Sequence, residues 1–223
     1  MKKLIVICLT LVVSWISILG PSITAGTTNS PKGKAIDGPL LAPLSAITRS
    51  LPTGEFPICT DPASQGAPAI WGDIVVWIDE RNGNHDIYGY DLSTQREFRI
   101  TNDTARPSTL DIGDRVVVWY DWRADNQGVY GYDLSTEREF LISIHSSGLH
   151  AGPTISGDIV VWTATSPAIS RQDIRGFDLS TQSSFVIPDV WWGYSYNPDI
   201  FGNIIVWENG LSNPTRRDIH GFD

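Results

Sequence analysis

The sequence predicts an all-β fold: a β-propeller of about four blades, each a four-stranded antiparallel sheet. Three observations predict it. Trp77, Trp119, Trp162 and Trp207 recur at spacings of 42, 43 and 45 residues, a period that marks propellers and solenoids. Each tryptophan ends a β-branched run that opens on a Gly-Asp or Gly-Asn turn, which excludes helical repeats. The 223 residues also hold 20 glycines, 14 prolines and nine tryptophans, the composition of a turn-rich, aromatic-rich chain rather than a helical bundle.

Residues 1–25 read as an export signal: Lys2 and Lys3, an apolar run from Leu4 to Leu19, and a small-residue end at Thr24-Ala25-Gly26. Ile23 is imperfect three residues before the cut, so an uncleaved anchor is the alternative. The reading places the protein outside the cytoplasm: secreted, periplasmic or on the cell surface. With 16 basic and 25 acidic residues the net charge is -9, and loss of Lys2 and Lys3 with the leader takes it to -11. Such a chain repels phosphate backbones, so nucleic acid is not an expected partner. Cys8 lies in the leader, which leaves Cys59 without an intrachain disulfide partner and with no assigned chemistry. Residues 26–50, rich in Gly, Pro, Ser, Thr and Ala, read as a flexible linker.

The propeller is expected over 51–223, with repeats near 68–106, 107–152, 153–197 and 198–223. GDIVVWIDERNGNHDIYGYDLSTQREFRIT at 72–101 returns as GDRVVVWYDWRADNQGVYGYDLSTEREFLIS at 113–143, and in weaker form from Gly157 and Gly202. In each unit a short segment such as Pro68-Ala69-Ile70 precedes the Gly-Asp turn and the run ending in tryptophan, giving two strands. The loop Arg81-Asn82-Gly83-Asn84 suits a tight hairpin needing positive φ, and leads to a third strand at Asp86–Asp91. Leu92-Ser93-Thr94 turns the chain into a fourth. Asp73-Ile74-Val75-Val76-Trp77 is apolar on both alternating faces, as a sheet packed between two neighbours must be. The four indoles are therefore read as inter-blade core.

The Pro-x-Ile segment, Gly-Asp turn, Val-Val-Trp run, Asp-x-Arg-Asn-Gly-Asn-x-Asp hairpin, Asp-Ile-Tyr strand and closing Phe-x-Ile-Thr together resemble the TolB-like β-propeller repeats of exported and cell-surface proteins. The resemblance covers roughly 51–223, and units three and four depart from it by losing the Asp-x-Arg-Asn-Gly hairpin. It implies the fold; for function it implies a docking platform or, in some members, an enzyme.

Residues 51–60 align with Leu92–Thr101 with one residue fewer between the leucine and the phenylalanine, while the last unit stops at Phe222-Asp223, before its fourth strand. The expectation is a four-bladed ring whose last blade is completed by residues 51–60, with Pro57 on an outer edge. The alternatives are a fragment of a longer propeller and a homodimer of two half-rings making eight blades.

His85, His145, His150 and His220 fall in different repeat phases without metal-ligand spacing, so no metal or cofactor is assigned. Asp79, Asn82, Asn84 and Asp86 suggest a calcium loop but lack its twelve-residue pattern, and are read as turn chemistry. Ser93-Thr94, Ser135-Thr136 and Ser180-Thr181 recur at one turn and are punctuation, not nucleophiles. Residues that differ between units at one repeat position are the candidate site: Tyr88, Tyr130, Arg175 and His220, each just before the third-strand glycine. The second candidate is the aromatic link between units three and four, Trp191, Trp192 and Tyr194. The expected function is a non-catalytic module binding a protein or polysaccharide at the cell envelope. A propeller-fold lyase acting on acidic polysaccharide is the alternative enzyme, with Arg175 and His220 as its one testable pair; a structural surface coat is a third reading.

Overall fold

The computed structural model describes residues 54–102, 105–144, 152–166, 171–187, 194–210 and 216–223, all within one compact unit, Pro52–Asp223. The described residues form fifteen β-strands and no helix. Blade 1 is β1 (Gln65–Trp71), β2 (Ile74–Asp79), β3 (Asp86–Asp91) and β4 (Arg96–Arg99); blade 2 is β5 (Pro107–Gly113), β6 (Val116–Asp121), β7 (Gly128–Asp133) and β8 (Arg138–Ile144). Blade 3 is β9 (Thr154–Ser156), β10 (Ile159–Ser166), β11 (Arg171–Asp178) and β12 (Ser183–Val186); blade 4 is β13 (Tyr194–Phe201), β14 (Ile204–Gly210) and β15 (Arg217–Phe222). Every sheet is an antiparallel meander in chain order.

Register explains the packing. In blade 1 Trp77 lies opposite Tyr88 and Val75 opposite Tyr90, so these four share one face; Val76 and Ile87 lie on the other. The Val76–Ile87 face of blade 1, with Phe98 and Ile100, packs on Val117, Trp119 and Tyr130 of blade 2. Val118, Val129, Phe140 and Ile142 of blade 2 meet Val160 and Trp162 of blade 3, and Val161, Ile174, Phe185 and Ile187 of blade 3 meet Ile205 and Trp207 of blade 4. The tryptophan faces of blades 2, 3 and 4 are thus covered by the β-branched face of the blade before. This is why both alternating faces of the run must be apolar.

The two ends of each blade differ. At one end the turns between the first and second strands of blades 1, 3 and 4 hold Gly72, Gly157 and Gly202 at φ of 55°, 57° and 60°. In blade 2 an extra residue moves Asp114 into that place, at φ 54°, and Gly113 serves instead for close approach, since a Cβ there would lie 3.0 Å from Ile155. At the same end Asp91 accepts hydrogen bonds from the Ser93 amide and hydroxyl at 2.7 and 2.5 Å and from the Thr94 hydroxyl at 2.8 Å. Asp133 with Ser135, and Asp178 with Ser180, repeat the turn. The Ser93 hydroxyl, against the opposing effect of burial, brings the Asp91 carboxyl to about 2, and Ser135 does the same for Asp133. The opposite end carries the β2–β3 hairpins and the links between blades, and it is there that the units diverge.

The closing strand is where the structure departs from expectation. The fourth sheet has three strands among the described residues, and residues 54–60 form no strand beside β15. Ile58 and Cys59 instead pack on Val75, Trp77 and Tyr88 of blade 1. The physical reason is that, among the described residues, no other blade packs on the tryptophan face of blade 1, and the nearby apolar pair Ile58 and Cys59 covers it.

Candidate functional site

Tyr88 and Tyr130 are buried parts of the blades. Each stacks on its blade's tryptophan, with centroids 6.4 Å apart for Trp77–Tyr88 and 6.1 Å for Trp119–Tyr130. A guanidinium covers the other side, Arg81 at 4.1 Å and Arg123 at 3.9 Å from the ring centroid. The same guanidinium holds a fully buried carboxylate. Trp77 Nε1 donates to Asp79 Oδ2 at 2.9 Å, Arg81 donates to that oxygen at 2.8 Å, and Arg81 reaches Glu97 at 2.5 Å. In blade 2 the distances are 2.9 Å for Trp119–Asp121, 2.7 Å for Arg123–Asp121 and 2.8 Å for Arg123–Glu139. Burial pushes both Asp79 and Asp121 up, but the arginine and indole donors outweigh it and hold the carboxyls below their ordinary range. The hairpin oxygens read as reminiscent of a calcium loop are engaged likewise, Asp86 by Asn82 at 2.8 Å, Asn84 at 3.1 Å and Arg99 at 2.8 Å.

Arg175 and His220 occupy the equivalent places, opposite Trp162 and Trp207. The four candidate residues therefore sit on the third strands of four different sheets, and the structure does not bring them together. Trp191 and Trp192, with His145 and His150, lie outside the described residues. Tyr194 opens β13, partly exposed, and stacks on Tyr196 at 6.3 Å.

The structure assembles a different constellation at the loop end, between blades 1 and 2. An open groove of about 470 Å³ is lined on one side by Ser64, Gly66, Ala67, Glu80 and His85, and on the other by Arg106, Ser108 and Trp122. Its walls are tied by backbone. The Trp122 amide donates to the Arg106 carbonyl at 3.0 Å, the Arg106 amide to Asp121 Oδ1 at 3.0 Å, and the Glu80 amide to the Ser64 carbonyl at 3.1 Å. His85 spans the cleft, 3.1 Å from Glu80 Oε1 and 3.4 Å from the Pro107 carbonyl. The Trp122 indole is 39% exposed and held edge-on against Tyr120, centroids 4.9 Å apart. Ala67, with φ of 49° in the left-handed region, sits at the bulge in β1 that shapes the floor. Sequence reasoning missed this groove, although a signal existed: Trp122 stands where unit one has Glu80, a difference of the same kind that singled out Tyr88 and its equivalents.

No protein-family model and no curated protein matches the chain in sequence. Solved structures do match in fold. TolB from Acinetobacter baumannii aligns over 74% of this chain and 45% of its own, at 19% identity and a TM-score of 0.50. The computationally designed Ika4 protein aligns over 76% of this chain and 98% of its own, at 18% identity and a TM-score of 0.53. The β-propeller domain of the Trilobed protease from Pyrococcus furiosus, described as having an open velcro topology, aligns over 66% and 48%, at 12% identity and a TM-score of 0.51. The chain has a TolB-like β-propeller fold. It spans about half the length of the solved TolB chains it matches.

Proposed function

We propose that the protein is an exported, non-catalytic β-propeller that acts as a protein or glycan interaction module at the cell envelope or surface, with the groove between blades 1 and 2 as its contact site. The observation that carries the reading is the half-exposed Trp122 indole, braced by Tyr120 and set beside Arg106, Glu80 and His85 in an open cleft. A braced aromatic face with adaptable polar groups around it suits a sugar ring or a peptide side chain, because it offers apolar area at little entropic cost. The acidic net charge of -9 favours neutral or basic partners over polyanions. The amino-terminal leader pattern supports export.

Calorimetric titration with neutral oligosaccharides and, separately, with basic peptides tests the reading. Saturable binding is expected with one class, weakened about thirty-fold by Trp122→Ala and unchanged by Trp71→Ala, an exposed indole outside the groove. Equal loss in both variants, or none in either, removes the groove from the interaction. Appearance of unsaturated uronate from a polyuronate would replace the module with a lyase.

A further inference from the structure

Among the described residues, 54–60 carry the pattern of an outer strand but form none, and β15 is a third strand with no fourth beside it. In blades 1 to 3 the fourth strand ends in Phe-x-Ile: Phe98 and Ile100, Phe140 and Ile142, Phe185 and Ile187. Each phenylalanine fills the notch over a third-strand glycine, where a Cβ on Gly89, Gly131 or Gly176 would fall 2.4, 2.5 or 2.1 Å from the ring. Each isoleucine joins the interface with the next blade's tryptophan: Ile100 with Trp119, Ile142 with Trp162 and Ile187 with Trp207. Phe56 and Ile58 repeat the pattern. Ile58 already lies on the Trp77 face as Ile100 lies on the Trp119 face, while Phe56 is 43% exposed. Gly221 is the matching open notch, with no heavy atom nearer than 3.7 Å to the position of a Cβ.

Pro57 fits this role. The Ile100 amide donates to the Ile87 carbonyl at 2.8 Å, so alternation turns the amide of the residue before it away from the third strand, and a proline there forfeits no ladder bond. The flat face of blade 4 completes the match. Val76, Val118 and Val161 are 0% exposed under the following blade, whereas the equivalent Val206 is 38% and Ile219 is 74% exposed. Beside Trp77 a groove of about 200 Å³, lined by Ile58, Cys59, Gln65, Val75 and Trp77, remains unfilled.

We propose that two copies of this chain complete each other: residues 54–60 of each pair with β15 of the other, Phe56 seats over Gly221, and the Ile204–Val206–Ile219 face closes on the other copy's Trp77 face. The occupant is a second copy because, among the described residues, the Val206–Ile219 face is uncovered and the Trp77 face is met by Ile58 and Cys59 rather than by a blade, and because the interface so formed continues the one repeated three times within the chain. Two such contacts related by a two-fold axis close a ring of eight blades, the upper end of the common range.

Light scattering on the 223-residue chain is expected to give twice 24.6 kDa. By the register of Tyr90 opposite Glu97, Glu55 is to lie opposite Phe222 of the other copy. In a Cys8→Ser, Cys59→Ser background, differently tagged chains carrying Glu55→Cys or Phe222→Cys should therefore cross-link with each other on mild oxidation. Gly221→Val, which fills the notch, should cut that yield about ten-fold. A monomer without intermolecular cross-links, an oligomer that grows without closing, or a doubly substituted chain that cross-links within one copy would each overturn the proposal. The cross-linking reads proximity directly, so the outcome does not depend on Gly221→Val folding well.

Discussion

Blades 1 and 2 differ from blades 3 and 4 in how they treat the polar end of the tryptophan face. In the first pair an indole N–H, a buried carboxylate, a guanidinium and a phenol ring form one network, with Asp79 or Asp121 at its centre. In the second pair the carboxylate is replaced by Ala164 or Asn209 and the phenol by Arg175 or His220. Among the described residues more polar atoms are then left buried without hydrogen-bond partners: Arg175 Nε in blade 3 and Trp207 Nε1 with both side-chain amide atoms of Asn209 in blade 4, beside Arg123 Nε in the first pair. The packing of apolar side chains survives the change, since Trp162 and Trp207 remain 2% and 6% exposed. Hydrophobic burial sets the stack of blades; the network adds rigidity and specificity to the half that bears the groove. Asp121 links the two, because its Oδ1 also receives the Arg106 amide at the groove wall.

Breaking the network should show the largest effect. Asp121→Ala takes away the acceptor of the Trp119 indole and of the Arg106 and Arg123 amides and leaves Arg123 with Glu139 alone, and is expected to cost about 3–5 kcal/mol in urea unfolding, whereas Asn209→Ala should change stability by less than about 1 kcal/mol. Equal losses would erase the distinction between the halves. Next, Trp119→Phe should cost about 3 kcal/mol, through lost volume and a lost donor to Asp121. Trp207→Phe should cost about 1 kcal/mol less, because its N–H has no partner to lose. Asn209→Leu, similar in shape but without an unsatisfied amide, should raise stability by about 1 kcal/mol, seen as a higher urea midpoint.

The smallest expected effect is the acid dependence of the turn end, where Asp91 and Asp133 are held at about 2 against an ordinary 3.8. Because the folded value is the lower one, this stabilisation is complete above about pH 4 and is lost as pH falls toward about 2. Thermal melts across that window should steepen for the parent chain and flatten for the Asp91→Asn, Asp133→Asn double variant. Parallel pH profiles would assign the acid transition to Asp79 and Asp121 instead.

Much of the fold was legible because its signals are local. Gly72-Asp73, Asp91-Leu92-Ser93-Thr94 and the β-branched run before each tryptophan specify turns and strands within a few residues, and repetition supplied their order. The site was less so. Tyr88 and Tyr130 differ from Arg175 and His220 because their partners Arg81 and Arg123 are absent from units three and four, a co-variation within the scaffold rather than a binding surface. Trp122 carried the same kind of signal, but its exposure depends on where Arg106 and Glu80 lie, on different blades.

By itself the sequence determined the period, the strands, the turn chemistry and the burial of the four indoles, since alternation along a strand and residue preference in a turn are properties of neighbouring residues. Tertiary structure alone decided which face meets which blade, where residues 54–60 rest, that Phe56 and Gly221 remain unmatched, and that one cleft gathers an indole, an arginine and a carboxylate–imidazole pair. Those outcomes depend on groups some 20 to 160 positions apart in the chain, and only packing, summed over all the interfaces at once, can bring them together or hold them apart.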